Sequence, residues 1–447
     1  MISWRMPWLF PVLLFFAQPA RSAPPDAPAE NLSIAPRPVP EQPKPGQDKT
    51  AAGGLSLDDA VNRLVAFNLD LRAKYQDIPK ARADELTASL RNAPAIFLSG
   101  NQLPYGRYSP QRPGTPNYEI SPVDNVDYSG KRRSHMREAR WATREIEARY
   151  QNAVRLEIDH LYDAYVDVLE SREAVQAART DLRQFAKMAA MSREGSRTDA
   201  DRIALQRFNA EAAVREAEVE LAQRKRNLAV LLAIPPDKAG ELEINGSLDE
   251  HSGPPPPVEE LIHLALESRP DLAAQRLGSE RDRALVQVTQ AERFDDAAVF
   301  VSPYEVQNNS PQGKKSSSGW GGGALFAVPI LDRNQGVIAR ARINLRQGQI
   351  EVEGMERVAV NEVRHAWTEY SASREVVQQY EHEGLPAARH VLKEEERQYL
   401  EGKQGIDALL EARKEYSEMV RLYREAQVHH RRSMLKLNTA VGKRILP

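Results

Sequence analysis

Apolar residues that recur every seven positions are the feature that most limits how this chain can fold. The positions are Val154, Leu161, Val168, Val175 and Leu182, and the spacing recurs at Ile338, Leu345 and Val352. This period is typical of helices packed side by side, knobs into holes. The helix predicted around the first set has about 60 residues, or about 90 Å, which exceeds one small core. We therefore predict coiled-coil hairpins; the alternative is an isolated amphipathic helix in a globular core.

The chain also contains two related halves. Residues 57–73 align without gaps to residues 258–274, and three later segments align at nearly the same offset. The alignment predicts two repeats, residues 55–248 and 258–447, joined by a Pro-rich linker at 249–257. In each repeat we predict a first helix (57–91; 258–292), two short strands, a very long helix (131–192; 336–400), a turn containing glycine, and a returning helix (198–233; 406–440).

The strand signals are shorter and lie between the helices of each repeat. Residues 93–102, 117–128, 296–306 and 320–328 are rich in strand-forming or alternating side chains, and polar loops with turn residues join them in pairs. The fold class is thus mainly α with four β-strands. Four strands cannot close a barrel, and open sheet edges are not tolerated in lipid. If these strands enter a membrane, several chains must share one barrel, and three chains would give twelve strands.

The N-terminus indicates export. Arg5 precedes an apolar run at residues 8–17, and small residues follow it, so residues 1–22 are predicted to be a signal peptide. The run is too short to span a bilayer as a helix. Residues 23–54 are rich in proline and are predicted to be a flexible leader.

Composition excludes several classes of function. The formal net charge is −2, so no basic field favours nucleic acid. The chain has no Cys, which excludes disulfides, thiolate metal sites, a Cys nucleophile and a lipid on an N-terminal Cys. No H-E-x-x-H motif or Ser/His/Asp arrangement is found, and the pair His429 and His430 is interpreted as part of a solvated helix face. We predict no catalytic residue, no cofactor and no metal site.

The segments that start the repeats, together with "VPILDRNQGVIARA" (328–341) and "EGKQGIDALLEA" (401–412), resemble the outer-membrane efflux protein family, the TolC-like exit channels. The resemblance runs from about residue 55 to 442. It implies a homotrimer with a twelve-stranded β-barrel in the lipid of the outer membrane. The long hairpins would form a periplasmic α-barrel tunnel. Partners would be a periplasmic adaptor and an inner-membrane pump.

The same resemblance implies roles for the turns between the long helices, which would be the periplasmic tips. The aperture and the adaptor contact would lie there, at Gly195, Asp201, Gly402, Gly405 and Asp407. Asp407 matches the acidic position of the family. Asp201 matches less well because its segment aligns in two registers, and Leu410 stands where some members have a second acidic residue.

A strand-to-helix junction is predicted in each repeat. Its residues are Pro122 and Gly130 in the first repeat and Pro329, Asp332 and Gly336 in the second. Pro329 is expected to end strand pairing because it lacks an N–H. Asp332 and Asn334 are expected to favour a turn and cap the next helix, and Gly336 to permit a close or left-handed backbone.

The expected function is a passive outer-membrane exit duct of a tripartite efflux or type I secretion system. It would pass small solutes, drugs or metal ions from the periplasm and be gated at the helix tips. The alternative is a periplasmic coiled-coil scaffold or adaptor without a membrane barrel.

Overall fold

A computed structural model describes residues 54–101, 117–191, 197–249, 253–306 and 317–446. Within these ranges no helix is both long enough and apolar enough to cross a membrane. The predicted signal peptide and nearly all of the leader lie outside them, as does Gly195.

The first half of the chain is built of helices around one pair of strands. Its elements are α1 (Leu57–Phe67), α2 (Leu69–Tyr75), α3 (Asp77–Ser89), β1 (Ala95–Asn101), β2 (Asn117–Val126), α4 (Lys131–Met191) and α5 (Arg197–Leu231). A short 3-10 helix, Pro236–Glu241, follows. The α4 bounds agree closely with the helix predicted from the seven-residue period.

The second half repeats the order of short helices, two strands and long helices, with two opening helices where the first half has three. Its elements are α6 (Val258–Ser268), α7 (Pro270–Ala291), β3 (Ala297–Val306), β4 (Ser317–Leu325), α8 (Gln335–Gln379), α9 (Leu385–Leu400) and α10 (Ile406–Val441). A π-helical turn, Tyr380–Gly384, joins α8 to α9, so the long helix predicted at 336–400 is interrupted by one wider turn.

The first helix of each half is not continuous, and that prediction was wrong. In the first half the chain breaks at Asn68, whose side chain caps α2 by accepting the N–H of Leu71, and again at Gln76. In the second half it breaks at Arg269, because Pro270 lacks an N–H and is suited to the first position of a new helix.

The strands form one antiparallel sheet in the order β1-β2-β3-β4. Both pairs of strands predicted from sequence form β-hairpins, β1–β2 and β3–β4, and β2 pairs with β3 to join the two halves. Within the described sheet, β1 and β4 are the edge strands, and each has a free edge.

The long helices form a layer in which α4 is central. It packs against α5, α7 and α10, while α8 packs against α7 and α10. The main core lies around the middle of α4, where Leu161, Val168 and Val175 of the seven-residue series are buried. Helices α5 and α8 are the outer members of this layer.

Candidate functional site: helix tips and strand-to-helix junctions

The long helices form two helical hairpins, α4–α5 in the first half and α8–α10 in the second. The tip of the second is a tight turn between α9 and α10. Gly402 has a φ of +77°, which favours glycine, and its N–H donates to the carbonyl of Tyr399 at 3.1 Å. Gly405 has an extended backbone and is the residue before α10. The turn thus lies at the predicted position, and Asp407 is the second residue of the helix that leaves it.

A small apolar cluster joins the two hairpins near their tips. It contains residues from α4, α5, α9 and α10: Met188, Ile203, Tyr399, Ile406 and Leu409. Leu410 packs against this cluster, whereas Glu411 is exposed. Leucine at this position therefore contributes to packing, which an acidic residue there would not do.

An ion pair joins Arg202 on α5 to Asp407 on α10. These two residues are next in sequence to Ile203 and Ile406 of the cluster. Their side chains are 46% and 70% exposed, so the pair contributes little to stability. It connects one hairpin to the other, however, and it would break if the tips moved apart.

Sequence reasoning found Asp407 but missed Arg202, whose only signal was its place directly after Asp201. Asp201 is exposed on α5, as its fifth residue, so it does not occupy the helical position that Asp407 has on α10.

A second polar contact between the hairpins is partly buried. Arg413 on α10, which is 9% exposed, donates from Nη2 to Asp181 Oδ1 on α4 at 2.5 Å. Ser417 donates to the same oxygen at 3.2 Å. This contact ties α10 to α4 and so links the second hairpin to the first.

The outer surface of α9 near the turn is covered by linked charges. Arg397 contacts both Glu394 and Glu401 at 2.5 Å, and Lys403 contacts Glu401 at 2.7 Å. Hydrogen bonds from Arg397 and then Gln398 lower the pKa of Glu394 to about 2. Glu394 therefore stays ionised at physiological pH.

The junction of the first half is organised by Asp127. Its carboxylate accepts the backbone N–H groups of Gly130, Lys131 and Arg132 at 2.7–3.0 Å, which satisfies donors at the start of α4. Gly130 has a φ of +77°. Pro122, by contrast, lies inside β2 opposite Ile96, and the pairing of β2 with β3 is interrupted between Glu119 and Val123.

The junction of the second half is built differently from the prediction. Asn334, with a φ of +57°, is the left-handed residue before α8, whereas Gly336 lies inside α8; the expected left-handed backbone at Gly336 was wrong. Pro329 does not end the pairing of β4, which already stops at Leu325. Asp332 accepts the N–H of Asn334 at 2.8 Å. The Asn334 side chain does not cap α8 but donates to the carbonyl of Thr289 on α7 at 3.1 Å.

Histidine placement gives no metal site in the described residues. No group of three or more His, Cys, Asp or Glu side chains within the described ranges could hold a metal ion. His430 is buried and bonds to Ser373 through Nδ1 at 3.0 Å, so its assignment to a solvated face was wrong. His429 is exposed.

Comparison with known proteins gives a consistent result. Residues 261–443 match the family model described as outer membrane efflux protein. The cobalt-zinc-cadmium resistance protein CzcC of Cupriavidus metallidurans is 24% identical over 347 residues, which cover 76% of this chain and 78% of that protein.

Solved structures show the same fold. The outer-membrane channel OprN is 20% identical with a TM-score of 0.68, over 86% of this chain and 89% of that one. CusC is 15% identical with a TM-score of 0.68, over 91% and 99%. The outer membrane protein VceC of Vibrio cholerae is 16% identical with a TM-score of 0.68, over 87% and 96%.

Proposed function

Since the chain is an outer-membrane protein of the outer membrane efflux protein family, we propose that three copies form a passive exit duct from the periplasm to the exterior. An inner-membrane pump would supply the energy, and a periplasmic adaptor would connect the two. The observation that best supports this is that the sheet and the helical layer of a single chain both end in open edges that a neighbouring copy can cover.

The sheet edges support a cyclic assembly. β1 and β4 lie at opposite ends of the four-stranded sheet, so β1 of one copy can pair with β4 of the next. Such a head-to-tail contact closes into a ring when the rotation allows it. Three copies give twelve strands, an even number within the range known for such barrels.

The helix edges support the same assembly. The outer face of α5 and the outer face of α8 each have exposed apolar side chains, and at 100° per residue each set falls on one side of its helix. On α5 these are Leu205, Phe208, Val219 and Val230; on α8 they are Ile343, Ile350, Val358 and Val376. Contact between α5 of one copy and α8 of the next would remove both stripes from water.

The tips would form the gate. The Arg202–Asp407 pair and the apolar cluster hold the two hairpins of one chain together, and an adaptor that engages the tips would separate them. The relative named as a cobalt-zinc-cadmium resistance protein favours heavy metal ions as the cargo, and metal tolerance of a host lacking its own duct would test this.

The experiment is current recording from the purified protein in a planar bilayer. Native protein should conduct in small, infrequent steps, and Asp407→Ala should raise the open probability because it removes the ion pair that links the hairpins beside the turn. Arg207→Ala is the matched control, since it breaks an exposed pair with Glu211 within α5 and leaves the hairpins linked. Absence of any conductance in native protein and in Asp407→Ala would refute the duct. Recovery of the protein in the soluble fraction without detergent would instead favour a periplasmic scaffold.

A further inference from the structure

The two faces of the β-sheet differ in chemistry. Pairing places Ile96, Leu98, Ile120, Val301 and Trp320 on one face, and all five are exposed. The other face, called the polar face here, has small, polar and aromatic side chains together with Val123 and Leu325, and Ser121 and Ser302 on it are buried. In a membrane barrel the apolar face contacts lipid and the polar face lines the lumen.

Glu119 lies on the polar face. It pairs across β2–β3 with Tyr304, whose side chain lies on the same face. Among the described strand residues, Glu119 is the sole charged residue on that face, whereas Asp124 and Glu305 lie on the apolar face. It is near the start of β2, at the end of the sheet far from the long helices.

The contacts of Glu119 hold its carboxylate in place without neutralising it. Ser121 Oγ donates to Glu119 Oε1 at 2.7 Å, and Ser302 provides a second hydroxyl. Hydroxyl donors stabilise an ionised carboxylate but bring no positive charge. Asp407 at the tip differs in this respect, because Arg202 is its ion-pair partner.

We propose that Glu119 is a specificity-determining residue that favours cations in the outer part of the duct. The proposal rests on the proposed function, because the trimer places three such carboxylates around one lumen. A ring of acidic side chains raises the local concentration of cations and lowers that of anions. The cargo that best fits this ring is positively charged, either a metal ion or a cationic organic solute.

The segments that connect the strands have the opposite charge in the sequence. Residues 102–116 and 307–316 contain Arg107, Arg112, Lys314 and Lys315 and no acidic residue. A variant at Glu119 leaves these basic residues unchanged, so a difference from native protein reports the carboxylate alone.

The test is the reversal potential of the purified trimer in a planar bilayer under a KCl gradient. Glu119→Gln should lower the cation-to-anion permeability ratio several-fold, because the trimer loses three unit charges and each one alone changes the concentration of an ion roughly 10 Å away in water about twofold before salt screens it. Glu119→Asp should keep the native ratio. Glu305→Gln is the matched control, because it removes a carboxylate from the neighbouring strand on the opposite face and should leave the ratio unchanged.

The outcomes separate the two proposals. Conducting trimers whose permeability ratio is the same in native protein and Glu119→Gln would overturn the role of Glu119 and leave the duct intact. An equal change in Glu305→Gln would also overturn it, since the effect would then not depend on the lumen face. Native protein that does not conduct at all would refute the duct, and the role of Glu119 with it.

Discussion

Asn68 and Arg269 occupy the same position in the two halves, 201 residues apart, and both connect a helix start to the end of the last long helix of their half. Asn68 caps α2 and donates to the carbonyl of Leu231 at 3.0 Å, at the end of α5. Arg269 precedes α7 and donates to the carbonyl of Ala440 at 3.1 Å, at the end of α10. The position is thus defined by the carbonyl groups it must satisfy and not by residue type.

The difference lies in what surrounds the two side chains. Arg269 is 4% exposed and contacts Asp271 and Glu362, each at 2.6 Å. Arg155 of α4 contacts Asp271 at 3.2 Å and the carbonyl of Thr439 at 2.8 Å. Two cations therefore meet the C-terminal, partly negative end of α10. The neutral Asn68 stabilises its own half, whereas the ionic group ties the second half to α4 of the first.

Among the variants that test this difference, Arg269→Ala should lower the free energy of unfolding the most. It leaves Asp271 and a helix end buried with fewer partners, and breaking a buried ion pair costs about 3–5 kcal/mol. Thermal unfolding in detergent measures the change. Arg364→Ala is the control, since its pair with Glu259 is mostly exposed and should cost less than about 1 kcal/mol. Equal losses in the two variants would contradict the anchoring role of Arg269.

Asp271→Asn should lower the free energy of unfolding by an intermediate amount that depends on pH. Burial alone would raise the pKa of Asp271, but the bonds and charges of Arg269 and Arg155 hold it below its usual value. A depressed folded pKa adds stability above the unfolded value of about 3.9, and this stability is lost as pH falls through the folded pKa.

Near pH 7 we expect Asp271→Asn to lower the free energy of unfolding by about 2–3 kcal/mol, the contribution of hydrogen bonds to a charged group. The difference from native protein should shrink below about pH 4. Urea unfolding at several pH values measures it. Asp70→Asn is the repeat-equivalent control, because Asp70 is exposed and should show little change at any pH. A pH-independent loss at Asp271 would point to packing instead of charge.

Substitutions at the strand-to-helix junctions should change the free energy of unfolding the least. Gly130→Ala should cost about 1–2 kcal/mol, because it places a Cβ at a left-handed residue. Gly336→Ala should be neutral or stabilise by up to about 1 kcal/mol, because Gly336 is helical and nothing lies within 4 Å of an added Cβ. Thermal unfolding distinguishes them, and a similar loss in both variants would restore the equivalence of the two glycines that the alignment suggested.

The sequence alone placed the long helices, the four strands and the tip turn within a few residues. Seven-residue spacing, alternation and turn residues are local properties, and they determine local structure whatever lies beside them. Asp407 was predicted from the resemblance of residues 401–412 to the efflux family, and its place after the turn is visible in that one short segment. The breaks at Asn68 and Arg269 were missed because a cap and a helix interior can have the same apolar spacing.

Only the tertiary structure decided which residues meet. Arg202 beside Asp407, Arg155 beside Asp271, and Glu119 facing the polar side of the sheet all depend on neighbours that lie far apart in sequence. The same is true of Asn334, which takes the left-handed backbone where Gly336 was expected, and which bonds to α7. Periodicity fixes the shape of each element because it acts over a few residues. The partner of a charge and the face of a strand depend on how distant elements pack, which no short segment encodes.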